Sequence, residues 1–452
     1  MLAGVQKGWA TDSPRAAGAP KSEKWYYAFL PHGMAGGVTQ PAVPLYTTVG
    51  LGGTVADVGI VSAASSLASI PAFLFWGAAS DAMHRRRLFL LIGFVGMALS
   101  FLFMAVAATV REYYMANLLL GALAAASAPI GPVLILETAQ EREWPQRLAL
   151  FNRLGGLGWV AGLGIGAAWV AVEATGIGLG AILQALFVIG AALALLSALL
   201  AWRWVPEPTT TVDRHSVHLP DLTLWFAEKG RYVPQRVLHY FDPRRMVGKG
   251  KLPSALQAYL ASAFLLFAGF TAFYAIFPVF LVQVALLPLS QVFVTYLMGH
   301  LVSALSYPAV GRWVAARGAR HAQLVASTGR VVLFPSFFLL TLLPITPAAA
   351  FAAVLVLHTL VGLCWAAINV SGSMIVSRLA HPEARAEAMG AYNAMQGFGA
   401  VLGPVAGGLV AGGLGFGYGF VAAAAFVAVG VVILARLRLV PAAAPAPSAT
   451  PS

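Results

Sequence analysis

Twelve mainly apolar stretches, each 22–29 residues long, constrain this chain more than any other feature. They run over 26–49, 56–79, 87–109, 113–136, 150–172, 178–203, 256–282, 290–314, 322–343, 348–376, 386–411 and 415–438. A helix needs about 20 such residues to cross a bilayer. In hydrocarbon the backbone has no water to bond, so each segment must satisfy its own N–H and C=O groups, and a helix does so. A closed barrel would show alternation over strands of about ten residues, and these continuous Ala/Leu/Val/Gly runs lack it. Composition agrees: 59% of the 452 residues are hydrophobic and 10% charged, with mean hydropathy +0.80. So few charges cannot cover a water-soluble surface. The chain is therefore expected to be all-α and integral to the membrane, with twelve transmembrane helices in two six-helix bundles.

The net charge of +12 raises nucleic acid as a partner, and the placement of the charges removes it. Of 28 Lys and Arg, only Arg111 falls in a loop after an odd-numbered segment. The others concentrate in the N-terminal tail, the loops after even-numbered segments and the C-terminal end, as with Lys24, Arg85–Arg87, Arg142, Arg147, Arg312, Arg317, Arg378 and Arg436. By the positive-inside rule both termini and these loops face the cytoplasm, which places the protein in the cytoplasmic membrane. The lone Cys364 gives no disulfide framework and no Cys-based metal site. The first residues show no signal-peptide pattern.

The longest polar segment, 205–255, divides the apolar segments six and six. The expected organisation is a cytoplasmic tail (1–25), an N-terminal bundle (26–204), a cytoplasmic linker (205–255), a C-terminal bundle (256–438) and a Pro/Ala-rich tail (439–452). The linker mixes aromatic and basic residues over 219–245, as surface-lying helices do.

The two bundles repeat each other. At an offset of 241, Asn152 aligns with Asn393, and Gly121, Gly131, Gly156, Gly158, Gly162 and Gly166 align with Gly362, Gly372, Gly397, Gly399, Gly403 and Gly407. At 234, Pro44 aligns with Pro278 and Gly77 with Gly311. With Gly at 47 of 452 positions, so many coincidences in one register mark two homologous halves. Proteins built this way place a substrate near the midplane between repeats and rock one against the other.

These residues resemble the major facilitator superfamily, in its drug-transporter-like branch, over essentially the whole chain after residue 25. The family's signature between helices 2 and 3 reads Gly-x-x-x-Asp-Arg/Lys-x-Gly-Arg-Arg. Gly77, Asp81, Arg85 and Arg86 match it, while Ala82 and His84 depart from it. The second copy keeps Gly311, Gly318 and Arg320 but has Ala315 in place of the acid. The resemblance implies that Gly77, Asp81, Arg85 and Arg86 form a conformational latch, with Asp81 facing the start of helix 11, where Arg385 is a counter-charge. Two marks of proton-coupled members are missing. Asn117 stands at the helix 4 position where an Arg precedes Gly121 by four, and Leu163 stands at the Pro position of helix 5. The full Gly-Pro pattern falls instead in helix 11, at Gly399, Gly403, Pro404, Gly407 and Gly408.

Ionisable side chains inside a membrane are costly and so mark sites. Here they are His32, His300, His358 and Arg330, with Glu137 at the inner end of helix 4 and Asp57 and Glu173 near the outer ends of helices 2 and 5; Arg330 lies on a helix peripheral in this family and near enough to the inner end to snorkel. Histidine titrates near neutral pH and is able to carry a proton, although a His bonded to a carbonyl fits the same positions. Gln40, between Gly37 and Pro41 where a helix breaks, and Asn117, Asn152, Asn369, Asn393 and Gln396 complete the candidate substrate or coupling set. Tyr46, Phe273, Tyr274, Tyr296 and Trp365 are available as walls. No Arg or Lys pair stands on helices 1, 4, 7 or 10, which favours an apolar or amphipathic solute over a sugar phosphate.

The reading is a monomeric secondary transporter of a small solute, with proton-coupled efflux as one form. Uptake of a sugar or metabolite, and a lipid-handling or receptor-like relative without proton coupling, stay open. Nothing suggests an enzyme, a metal or a cofactor. There is no His-Glu-x-x-His, Cys/His or paired-acid motif, and no Gly-x4-Gly-Lys-Ser/Thr loop to bind ATP.

Overall fold

The computed structural model describes residues 23–83, 85–140, 143–171, 176, 178–206, 253–380 and 385–437. The expected linker and both tails lie almost wholly outside the described residues, as does His84. The N-terminal half comprises α1 (Phe29–Thr39), α2 (Ala42–Leu45), α3 (Val55–Met83), α4 (Arg86–Val106), α5 (Val110–Ala124), α6 (Ile130–Thr138), α7 (Trp144–Val170) and α8 (Leu179–Trp204). The C-terminal half comprises α9 (Ser254–Gln283), α10 (Leu289–Arg317), α11 (Ala319–Leu340), α12 (Pro347–Leu379), α13 (Arg385–Leu414) and α14 (Phe416–Arg436). Ten of these are long and apolar enough to cross a membrane unbroken. The remaining two spans are interrupted. In the first, α1 stops at Thr39 because Pro41 has no N–H to continue the ladder, and the chain resumes as α2 and a π-turn over Tyr46–Gly50. In the fourth, Pro129 separates α5 from α6.

At the end remote from the basic loops, side chains cap the helices. Thr54 and Asp57 bond reciprocally at the start of α3, Oγ1 to Oδ2 at 2.7 Å and Asp57 N–H to Oγ1 at 3.2 Å. Thr109 and Glu112 cap α5, and Thr346 caps α12. Asp57 is therefore occupied as a cap. Gly318 and Gly415, at φ +86° and +98°, turn the chain between consecutive spans where an L side chain would be strained.

The repeat reappears as matched contacts. A Cβ on Gly162 (α7) would strike the Met34 carbonyl of α1, and one on Gly403 (α13) would strike the Ala268 carbonyl of α9. Gly158 on Leu30 and Gly399 on Phe264 form a second matched pair. Gly162/Gly403 and Gly158/Gly399 differ by 241, Met34/Ala268 and Leu30/Phe264 by 234, so both sequence offsets meet in one interface. The glycines serve close helix approach, which in lipid supplies the dispersion and packing that hold spans together.

The halves touch along α3–α13 and α7–α10. Both seams tighten away from the basic loops. On the first, Gly59 meets Pro404, and Cβ atoms on Gly408 and Gly412 would lie 2.7 Å from Gly59 and 3.1 Å from Ala56. Nearer the basic loops a Cβ on Gly397 would lie 3.5 Å from Ile70, and Gly77 and Gly390 face open space. On the second, Gly166 abuts Phe293 and a Cβ on Gly164 would lie 3.6 Å from Leu297, whereas Gly155, Gly156 and Gly311 face open space. The cleft is closed at the far end and parted at the basic-loop end.

Candidate substrate site

At mid-depth a chain of polar groups crosses from one half to the other. Gln40, at the break after α1, accepts a hydrogen bond from Trp159 Nε1 of α7 at 2.8 Å. The Trp159 ring lies 6.1 Å from that of His300 on α10, across the seam. Beside His300, Gly299 and Gly362 bring α10 and α12 together: a Cβ on Gly362 would strike the Gly299 carbonyl, and one on Gly299 would sit 2.5 Å from His358 Nδ1. That approach lets His358 Nδ1 reach the Thr295 carbonyl at 2.9 Å. A carbonyl only accepts, so Nδ1 carries the proton and Nε2 is left as an acceptor, buried and without a partner. The ring stacks on Phe277 (5.2 Å, 6°) and neighbours Tyr296 and Tyr274.

Arg330 ends the chain, and it corrects one expectation. It does not snorkel to the membrane surface: from the middle of α11 it turns inward and is 0% exposed. One Nη2 hydrogen bond reaches the Val361 carbonyl at 3.1 Å; Nε and Nη1 make no hydrogen bond, and the Tyr274 hydroxyl lies beside the guanidinium. Its guanidinium lies 4.2, 5.5 and 5.9 Å from the rings of Phe270, Trp365 and Phe334.

The other candidates scatter. His32 is turned toward α4, between Phe29 and Phe94, with Nδ1 unpartnered. Asn117 is buried and bonds back to the Tyr113 carbonyl of its own helix at 2.9 Å, a bond that keeps it out of the mid-depth chain. Asn152, Asn369 and Asn393 are exposed in the basic-loop halves of α7, α12 and α13, and Asn369 donates to the Tyr307 hydroxyl. Gln396 is half-buried beside Tyr392, which stacks on Tyr259. Tyr46 and Phe273 are core residues, the latter stacked on Phe334 at 4.1 Å. Two apolar grooves of about 500 Å3, around Leu340 and around Phe398, contain none of the candidates.

Departure from the repeat is the signal that finds what residue type alone misses. Trp159 stands where the other half has Ala400, and Arg330 where it has Gly96. Gln40 and Tyr274 occupy equivalent positions, as do Asn117 and His358.

At the basic loops, Arg86 is buried and reaches Glu137 at the end of α6 (Nη2–Oε1 2.6 Å) and Ser80 of α3 (2.6 Å). Arg87 donates to the Val205 carbonyl after α8, and Arg320 repeats this on the carbonyls that end α14. Arg147 pairs with Glu143 and Glu23. Arg85 is exposed. The side chains of Asp81 and Arg385 lie outside the described residues. Arg86 thus braces three spans of one half. Arg86→Ala is expected to lower stability by about 2 kcal/mol, and Glu137→Gln by less, since Glu137 is a third exposed and hydrates when unpaired. Thermal denaturation in detergent measures the difference.

Two pseudo-symmetric six-span bundles with a polar chain at mid-depth have the architecture of a secondary membrane transporter. The sequence profile of the Major Facilitator Superfamily matches residues 26–369 and again 329–451, and the chain belongs to that family. It is a multi-pass membrane transporter and not an enzyme. No curated protein sequence matches it. Its fold is similar to a mutant of the nucleoside transporter NupG, with TM-score 0.69 and 16% identity over 92% of this chain and 98% of that one. It is also similar to a bacterial homolog of the human lysosomal transporter Spinster in an inward-facing, occupied conformation (0.66, 15%, 92% and 96%). A POT family transporter in complex with a thioalcohol-conjugated peptide gives 0.69 at 10% identity, over 91% and 94%. At these identities the likeness is one of fold.

Proposed function

We propose that this transporter moves a small amphipathic solute across the cytoplasmic membrane by alternating access, with the chain from Gln40 to Arg330 as its binding site. The observation that carries the reading is the Gln40–Trp159–His300 link, which spans both halves at the level where the cleft closes. A solute entering from the basic-loop side would meet this link first as the floor of the cleft. Under the positive-inside rule that side is the cytoplasm, so the open state exchanges solute with the cytoplasm, loading it in efflux and releasing it in uptake. His300 and His358 are the groups on this path suited to carrying a proton.

Transport of fluorescent amphiphiles into inverted vesicles, with and without an imposed pH gradient, tests the reading. Trp159→Ala is expected to lower transport about tenfold, by removing both the Gln40 bond and the ring facing His300. Unchanged transport would place the solute path elsewhere, and transport indifferent to the gradient would remove proton coupling alone. The loop residues Gly77, Asp81, Arg85 and Arg86, with Arg385, belong to the same proposal as a latch between states. Asp81→Asn with undiminished transport would remove that part.

A further inference from the structure

Resting on the transporter reading, we propose that the solute is an organic anion, an amphipathic acid whose acidic group pairs with Arg330. The argument begins with a missing counter-charge. Between 253 and 380, and again between 388 and 437, the sequence contains neither Asp nor Glu. The acids of the C-terminal half, Glu383 and Glu387, stand where α13 begins, at the basic-loop end. Arg330 is eleven residues into α11 from that end, roughly 16 Å along the helix. In the other half Asp57 is occupied as a cap at the far end, and Glu137 is paired with Arg86 near the loops.

A guanidinium stays protonated in proteins. Burying it unpaired costs several kcal/mol, and aromatic faces return about 2 kcal/mol each at best. Phe270, Phe334 and Trp365 therefore make the charge tolerable without neutralising it. Its donors are also underused. Val361 takes one of five N–H groups and the Tyr274 hydroxyl lies nearby, yet Nε and Nη1 make no hydrogen bond, which leaves a fork for a ligand. Such a fork fits a carboxylate with two parallel bonds.

The cage encloses the guanidinium completely, and its wall is thinnest on one side. Phe270 and Phe334 are buried, whereas Trp365 and Tyr274 are half-buried. A solute would reach the guanidinium by displacing those two rings, which suits an aromatic or apolar body with an acidic end. His358 Nε2, near Tyr274, offers an unfilled acceptor for a donor group on that body. The lack of an Arg or Lys pair on spans 1, 4, 7 and 10 does not argue against an anion, because the cation is supplied by α11.

The test compares matched acid and amide pairs on purified protein: indole-3-acetate with indole-3-acetamide, phenylacetate with phenylacetamide, decanoate with decanamide. At least one acid is expected to raise the melting temperature while its amide does not, because binding to the folded state alone stabilises it. Arg330→Met is expected to melt no lower than wild type without ligand, since it removes an uncompensated charge, and to weaken the acid roughly 10- to 100-fold. Arg330→Lys keeps the charge without the fork and should weaken the acid by an intermediate factor. The proposal is overturned if no acid exceeds its amide, or if acid affinity is unchanged in the Arg330 variants that fold. Transport of neutral amphiphiles with no acid binding would overturn the anion and leave the transporter reading standing; no transport of any solute would overturn that reading itself.

Discussion

Gly408→Trp is expected to cut transport about 10- to 100-fold while leaving the protein folded. Gly408 sits on α13 where the two halves close at the far end, and a Cβ there would already lie 2.7 Å from Gly59 of α3. An indole cannot enter that seam unless the halves part. Forcing a large side chain into a packed interface costs about 1–3 kcal/mol. The same strain is absent from a state in which the far ends have separated, so the difference acts on the equilibrium between states. Each 1.4 kcal/mol is a factor of ten in population, and a transporter must visit both states in every cycle. The measurement is labelling by a membrane-impermeant maleimide of Asn393→Cys, in a Cys364→Ser background. Asn393 is exposed in the basic-loop half of α13, so labelling from that side should fall together with transport. Labelling and transport both equal to those of the parent would mean that this seam does not open during the cycle.

Gly362→Leu is expected to cost about 3 kcal/mol and to disable the site. Even a Cβ at this position collides with the backbone carbonyl of Gly299, which has no rotamer by which to yield. Separating α10 from α12 would break the His358–Thr295 bond and expose the ring that stacks on Phe277. The neighbouring Leu363→Ala is the control. Leu363 is exposed on the outer face of α12, and surface changes of this kind stay within about 0.5 kcal/mol. Thermal denaturation in detergent separates the two. A Gly362→Leu protein as stable as Leu363→Ala would show that the close approach is dispensable.

Both arguments rest on glycines that the sequence singled out, Gly362 by the repeat and Gly408 by the Gly-Pro pattern of helix 11, yet their partners were not legible there. Gly362 and Gly403 were recognisable as packing positions, because their spacing recurs in both halves. That Gly403 meets Ala268, and Gly362 meets Gly299, follows from how whole helices are set against each other. Asn117 and His358 show the same limit. They occupy equivalent positions, and the sequence offered both as coupling candidates. In the fold Asn117 bonds back to its own helix, while His358 reaches across to Thr295. His32, from its composition as good a candidate as His300, is turned toward α4 and away from the seam. Arg330 was read as a snorkelling residue near the inner end and is instead the most deeply enclosed charge described in the protein.

Spans, the two-fold repeat, the helix break at Pro41 and the one-sided placement of basic loops were all determined by the sequence alone. Each depends on a contrast with water or on the backbone's own chemistry, and such contrasts are written residue by residue. The tertiary structure alone decided which way each buried side chain points. In a soluble helix the polar face marks the outside, so periodicity orients the helix. In a bilayer the lipid-facing and protein-facing sides are equally apolar, and that mark is lost. Only packing against neighbouring helices turns Arg330 inward, sets Trp159 against His300 and leaves Asn117 out of the chain that joins the two halves.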